Sequence, residues 1–293
     1  MSKKQELRTT YVKEVKSRKP KADARTVICI TNHIIEVKVY ERACNDNLSK
    51  IQRLSKTEYL DKETGEVKEY KFQSKGSNCN SCGKSDIRNL NRSFENLRRL
   101  INENFVGNKN EVHMVLTYGI EMMDRGRIST DFKNFWKRLK SKFGQLEYIC
   151  IYEPFDSGAW HIHVLVKKMD SDILYLNSRE VAELWGSGYV KVNRIYNNDN
   201  IGAYFTVLVR KDECENESKK SLRLKYYEKN KKLYTKSHGI KIPSFVTVTY
   251  EEAEKLLKGH HLVCDKTLAV RTIEKDIEVN RIQYMQFNDK RRK

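Results

Sequence analysis

His161 and His163 stand one residue apart inside the apolar run Trp160–Val166. On a β-strand successive side chains alternate between faces, so residues i and i+2 project the same way. The spacing sets the two imidazoles about 6–7 Å apart along one face and turns Ile162 and Val164 to a core. Neutral imidazole is a common metal ligand. Upstream, Tyr148–Glu153 reads as another strand and residues 154–158 as a turn, so a hairpin brings Glu153 beside the histidine pair. Two imidazoles and a carboxylate make an N/O donor set with open positions, suited to a divalent ion that also touches a substrate. Two polar residues on a half-exposed strand face would show the same spacing, and the pattern alone leaves both readings open.

A nucleophile is available 40 residues on. Tyr204 lies in Asn200–Lys211, which reads as a helix ending in Arg210 and Lys211. A tyrosine has an ordinary pKa near 10, so its attack on phosphorus needs a neighbour that favours the anion or neutralises the phosphate, as a divalent metal does. The plainer alternative, with 16 tyrosines in the chain, is that Tyr204 packs against the sheet. Downstream, residues 222–243 interleave Arg223, Lys225, Lys232 and Lys236 with Tyr226 and Tyr227. Cations neutralise phosphates and aromatic faces stack on unpaired bases; a solvated charged face is the bland reading of the same run. The basic helix 133–142, with Lys137, Arg138 and Lys140, adds to the candidate DNA surface.

These residues need elements to hold them. Val112–Tyr118 reads as a strand, and Ile128–Phe143 as an amphipathic helix opened by Ser129 or Thr130. The hairpin Leu146–Glu153 and Ala159–Lys167 follows, then a helix at 179–185 capped by Ser178, then a strand at Gly188–Val192. Strand, helix, strand, strand, helix, strand is the ferredoxin-like or RRM-like order: an α+β fold whose antiparallel sheet carries helices on one face. Before it, residues 26–110 read as a β-rich extension plus a helix. Val27–Ile30 and Ile34–Tyr40 are strands, a hairpin turns at Thr64-Gly65, and Leu90, Phe94, Leu97, Leu100, Ile101 and Phe105 follow helical spacing. Residues 1–25 read as a basic flexible terminus, 111–245 as the core, and 246–293 as a helical, basic tail.

Charge narrows the class of partner. The chain of 293 residues carries 57 Lys+Arg against 39 Asp+Glu, a formal net charge of +18 that favours a polyanion. No apolar run approaches the length of a membrane span, so nucleic acid is preferred over a membrane. Seven scattered cysteines and the polar start of the chain point to a reducing cytoplasm. Cys79 and Cys82 are the one close pair; a zinc site there needs two more ligands, for which Cys29 and Cys44 are candidates. Residues 78–85 end like a P-loop, but Asn78 stands where its first glycine belongs, so ATP binding is not expected.

Three motifs in this order resemble those of the HUH endonuclease superfamily, in particular the rolling-circle replication initiator (Rep) proteins of bacterial plasmids and phages. They are Val112–Tyr118, His161-Ile162-His163, and Ile201–Tyr204, with Glu153 at the place of a third metal ligand. Residues 53–67 and 234–241 also look like segments of Gram-positive plasmid initiators, so the resemblance spans about residues 50–243. It implies that Glu153, His161 and His163 hold Mg²⁺ or Mn²⁺, and that Tyr204 attacks single-stranded or hairpin origin DNA through a 5′-phosphotyrosine. Position 208, often a second aromatic in such proteins, is Leu here, which favours a single-tyrosine mechanism. With no helicase segment, strand separation falls to a host helicase, and no ATP is consumed. A single-tyrosine transposase or relaxase of the same superfamily, or a non-catalytic RRM-like nucleic-acid-binding module, are the competing expectations. The RRM-like reading requires exposed aromatics on the sheet, with Tyr118, Tyr148 and Tyr152 as candidates.

Overall fold

A computed structural model of the chain describes residues 10–42, 51–53, 58–61, 66–69, 87–195, 199–206, 223–228, 231–273 and 275–291. The strands are β1 (Thr10–Val15), β2 (Arg25–Thr31), β3 (Ile34–Tyr40), β4 (Ile51–Arg53), β5 (Glu58–Asp61), β6 (Val67–Glu69), β7 (Glu111–Tyr118), β8 (Leu146–Pro154), β9 (Trp160–Lys168), β10 (Gly188–Arg194), β11 (Tyr234–Lys236), β12 (Phe245–Thr249), β13 (Leu262–Thr272) and β14 (Glu278–Asn288). The helices are α1 (Ile87–Asn104), α2 (Arg125–Phe143), α3 (Ser178–Trp185), α4 (Ile201–Phe205) and α5 (Tyr250–Leu257). The fold is α+β with antiparallel sheets. Its two compact units comprise Met1–Cys29, Ile35–Cys82 and Phe245–Lys293 in one, and Ile30–Ile34 and Gly83–Ser244 in the other.

The second unit holds the expected β-α-β-β-α-β order from β7 to β10, in a sheet ordered β10-β7-β9-β8-β11. β9 runs antiparallel between β7 and β8, the split arrangement of ferredoxin-like folds. On one face Val112, Met114, Leu116, Ile162, Val164 and Val166 pack against Ile128, Phe132, Phe135 and Leu139 of α2 and Val181 and Trp185 of α3. Burying an aliphatic or aromatic side chain of this size contributes about 1.5–3 kcal/mol. The other face is covered as well. Leu90, Phe94, Leu97, Leu100 and Ile101 of α1 pack on Ile149, Ile151 and Leu165. Helices therefore lie on both faces rather than one, and α1, read from the sequence as part of the extension, belongs to the core unit. Periodicity reveals which stripe of a helix is apolar but not which sheet it meets.

Both expected helix caps move by a few residues. Asp124 opens α2, its carboxylate accepting from the amides of Gly126 and Arg127, while Ser129 and Thr130 donate to carbonyls four residues back. Asn177 caps α3 in the same way, and the Ser178 hydroxyl instead accepts from Val192 N at 3.2 Å, tying α3 to β10. In each case a side chain one to a few residues earlier reaches the open amides first.

The first unit corrects both chain ends. Its six-stranded sheet runs β1-β13-β14-β3-β2-β12, with Ala253 and Leu257 of α5 packed on Ile28, Ile35, Val37, Val39, Met285 and Phe287. Thr10–Val15, inside the stretch expected to be flexible, pairs along its length with β13. Val12 is 59 % exposed, so backbone pairing rather than side-chain burial holds this strand, and composition cannot register that. The expected helical tail is mainly the β13–β14 hairpin, whose inward residues Thr267, Ala269, Gln283, Met285 and Phe287 alternate as strands require. β4, β5 and β6 form a small separate sheet; the expected turn at Thr64-Gly65 lies outside the described residues, as do Cys44, Cys79 and Cys82. Among the described residues no helix is long and apolar enough to cross a membrane.

Candidate active site

The β8–β9 register sets Glu153 opposite His161, and Ile151 opposite His163. His163 Nε2 lies 3.0 Å from Glu153 Oε2 and 3.0 Å from His161 Nε2, and His161 Nε2 lies 3.9 Å from the same carboxylate oxygen. One ligand atom from each residue falls within 4.8 Å of the others. His161 is buried and the other two are half-buried. Two imidazole nitrogens and a carboxylate converging from one sheet face fit a divalent ion that keeps coordination positions open.

Three neighbours shape the cluster. Phe155, in the β8–β9 turn, stacks on His161 with ring centroids 4.1 Å apart. Arg223 donates to Glu153 Oε1 at 3.0 Å and to Asp156 Oδ1 at 2.6 Å, leaving Glu153 Oε2 to the histidines. His113 of β7 stacks on His163, its Nε2 3.0 Å from His163 Nδ1. Burial, aided by His163 and Lys191, pushes the His113 pKa down to about 3, so the ring is neutral. In the tautomer where His163 donates from Nδ1 to His113, the lone pair of His163 Nε2 is left for a metal. Sequence reasoning gives His113 no role, although strand alternation already sets residues 113, 115 and 117 on one face.

The nucleophile candidate sits on a very short helix pinned to α1. Asn200 caps α4 by accepting from Ala203 N at 2.9 Å. Asn102 of α1, 2 % exposed, accepts from Gly202 N at 2.7 Å and donates to Asn200 Oδ1 at 3.1 Å. A Cβ at position 202 would lie 2.3 Å from Arg98 O and 2.7 Å from Asn102 Oδ1, so this approach needs glycine. The Phe205 ring then packs 4.7 Å from His113 and 6.3 Å from His163. Tyr204 is 63 % exposed, so Phe205, not Tyr204, is the residue that packs. Asn102 escapes a sequence reading because nothing local links it to a helix about 100 positions away.

The remaining expected DNA contacts are dispersed. Lys137, Arg138 and Lys140 lie on the exposed side of α2, which covers the sheet face opposite the histidines, and Arg138 Nε donates to Leu184 O. Arg210 and Lys211 lie outside the described residues. Residues 231–243 are not a tail: β11 pairs with β8, and Leu233 and Ile240 are core. Tyr227 packs between Phe94 and Trp160 and donates to Tyr152 O, so its ring is not offered to a base. Tyr226 donates to Asp156 O and lies over Gly158, where φ is +93° and a Cβ would meet its ring at 2.8 Å. Lys225 sits over the Tyr226 ring. Lys236 Nζ donates to two carbonyls, and Lys232 is exposed. Of the aromatics that an RRM-like surface needs, Tyr118 and Tyr152 are buried and Tyr148 packs on Phe132 and Trp136.

Residues 111–213 match a family of replication-associated proteins, the ORF2 family. The matched segment runs from the first residue of β7 past α4, and so takes in His113, Glu153, His161, His163 and Tyr204. The match supports a role in replication initiation, with DNA as the partner. No curated protein and no solved structure matches the chain.

Proposed function

We propose that this protein is a single-tyrosine DNA nicking and joining enzyme of the HUH type that initiates rolling-circle replication. The observation that carries the reading is the short helix α4. It sets Tyr204 next to Phe205, whose ring rests on His113 and His163, within the segment that matches a replication-associated family. Glu153, His161 and His163 would hold Mg²⁺ or Mn²⁺, which when bound supplies Lewis-acid polarisation of the scissile phosphate. The Tyr204 oxygen bonds to phosphorus as the bond from phosphorus to the 3′ oxygen breaks. The tyrosine loses its proton and the departing oxygen gains one, leaving a 5′-phosphotyrosine and a 3′-OH that primes synthesis. Attack by a 3′-OH reverses the sequence and reseals the strand without ATP, because one phosphodiester is exchanged for another. Arg223 keeps Glu153 oriented and lies close enough to face the phosphate. His113 holds the ring of His163 in place.

The test uses the full chain with Mn²⁺ and single-stranded oligonucleotides of randomised sequence labelled at the 3′ end, the end a 5′-phosphotyrosine retains. The expected result is an SDS-stable labelled adduct, lost with EDTA and absent from Tyr204→Phe, which still binds DNA. An adduct formed by the Phe variant at the wild-type rate would assign the nucleophile to another tyrosine.

A further inference from the structure

The sheet face that carries the histidines continues beyond them to the open edge at β10. β10 pairs with β7 so that Tyr189 lies opposite Thr117, Lys191 opposite Val115, and Asn193 opposite His113. β7 pairs in turn with β9, Val115 opposite His163. Opposed residues of an antiparallel sheet share a face. Lys191, Val115, His163 and Ile151 therefore form one cross-strand row, and Tyr189 and Thr117 lead toward His161 and Glu153 in the next.

The residues at the edge of these rows are not needed for packing. Val190 and Val192 take the core side of β10, while Tyr189 is 76 % exposed and Lys191 is exposed. Among the described residues, no carboxylate pairs with Lys191 and no ring contacts Tyr189. The position is nevertheless rigid. A Cβ at Gly188 would lie 2.3 Å from Thr117 O and 2.4 Å from Gly119 N, so the start of β10 is pressed onto β7. Lys191 lies two strands from His163, about 10 Å at the usual strand spacing. A flat aromatic face with a cation two residues on fits an unpaired base and its phosphate, the two groups single-strand binding surfaces engage. α2 carries more cations but lies on the other face, and so cannot serve a strand threaded past the histidines.

We infer that Tyr189 and Lys191 form a subsite for an unpaired nucleotide flanking the scissile phosphate, Tyr189 stacking on the base and Lys191 neutralising the adjoining phosphate. The inference deepens the nicking reading, on which its placement beside the scissile phosphate rests. The binding itself is measurable without cleavage. Fluorescein-labelled oligothymidylate is titrated with the full chain in EDTA across a salt series, and binding is read by anisotropy. Tyr189→Ala is expected to weaken binding about 5- to 150-fold with an unchanged salt slope, and Tyr189→Phe to stay within about twofold of wild type. Lys191→Gln is expected to flatten the slope of log K against log salt by about 0.7. A Tyr189→Ala variant that binds within about twofold of wild type overturns the stacking role, and a Phe variant as weak as Ala overturns it equally. In chelator, a Tyr189→Ala loss without any wild-type adduct in Mn²⁺ would sink the nicking reading and leave the subsite standing. An active wild type with normal binding by Tyr189→Ala would do the reverse.

Discussion

The two faces of the β10-β7-β9-β8-β11 sheet share strands but do different work. Under α2 and α3 the face is closed: Tyr118, Phe135 and Trp185 meet edge to face, and the Trp185 indole donates to Thr117 O. Even Arg125, a buried cation on that side, lies over the Tyr152 ring at 3.3 Å and donates to Lys232 O. Under α1 and α4 the face is a core at one end only. Ile149, Ile151 and Leu165 give way along the same strands to Glu153, His161, His163 and His113. One surface thus supplies stability and its reverse gathers the groups that could do chemistry, and a helix that stops short makes the difference.

Substituting across the two faces is the strongest way to break that contrast. His161→Ala is expected to abolish the covalent adduct while leaving the urea midpoint close to wild type. Phe135→Ala, from the closed face, is expected to cost about 3–5 kcal/mol of unfolding free energy. Equal loss of stability in both would mean that the histidine end is structural. An adduct that survives His161→Ala would remove the residue from the metal set.

A smaller effect is expected where the site meets its support. Gly202→Ala introduces a Cβ that must push α4 away from α1, an overpacking cost of about 1–3 kcal/mol. Adduct formation at saturating DNA should slow, with affinity in chelator unchanged. An unaltered rate would show that the Asn102–Gly202 contact does not position Tyr204.

The smallest effect is expected from the wrong side of the sheet. Replacing Lys137, Arg138 and Lys140 together by Gln should leave adduct formation at saturating DNA intact and change the salt slope little. A slope reduced by about 0.7 for each lost charge would put the strand against α2 and reverse the assignment of faces.

Much of the site is legible in the chain alone. The i, i+2 spacing of His161 and His163 and the turn at 154–158 put the histidine pair and Glu153 on one hairpin, and hairpin register is a local property. The βαββαβ order follows from periodicity in the same way. The misreadings share a cause. Tyr226, Tyr227 and Lys236 look like a nucleic-acid surface in the chain, yet they pack or hydrogen-bond against the β8–β9 hairpin and β8. Interleaved cations and aromatics are compatible with either use until a partner is known.

By itself, then, the sequence determined the strands and helices of the core, the hairpin of Glu153, His161 and His163, and the preference for a polyanion, because each rests on spacing within a few residues or on summed charge. The tertiary structure decided which helix covers which face. It recruited His113 and Asn102, laid Phe205 against the histidines with Tyr204 beside it, separated the α2 cations from them, and turned both chain ends into sheet. All of these depend on contacts between positions tens to hundreds of residues apart, where backbone pairing and close packing, not local pattern, choose the neighbours.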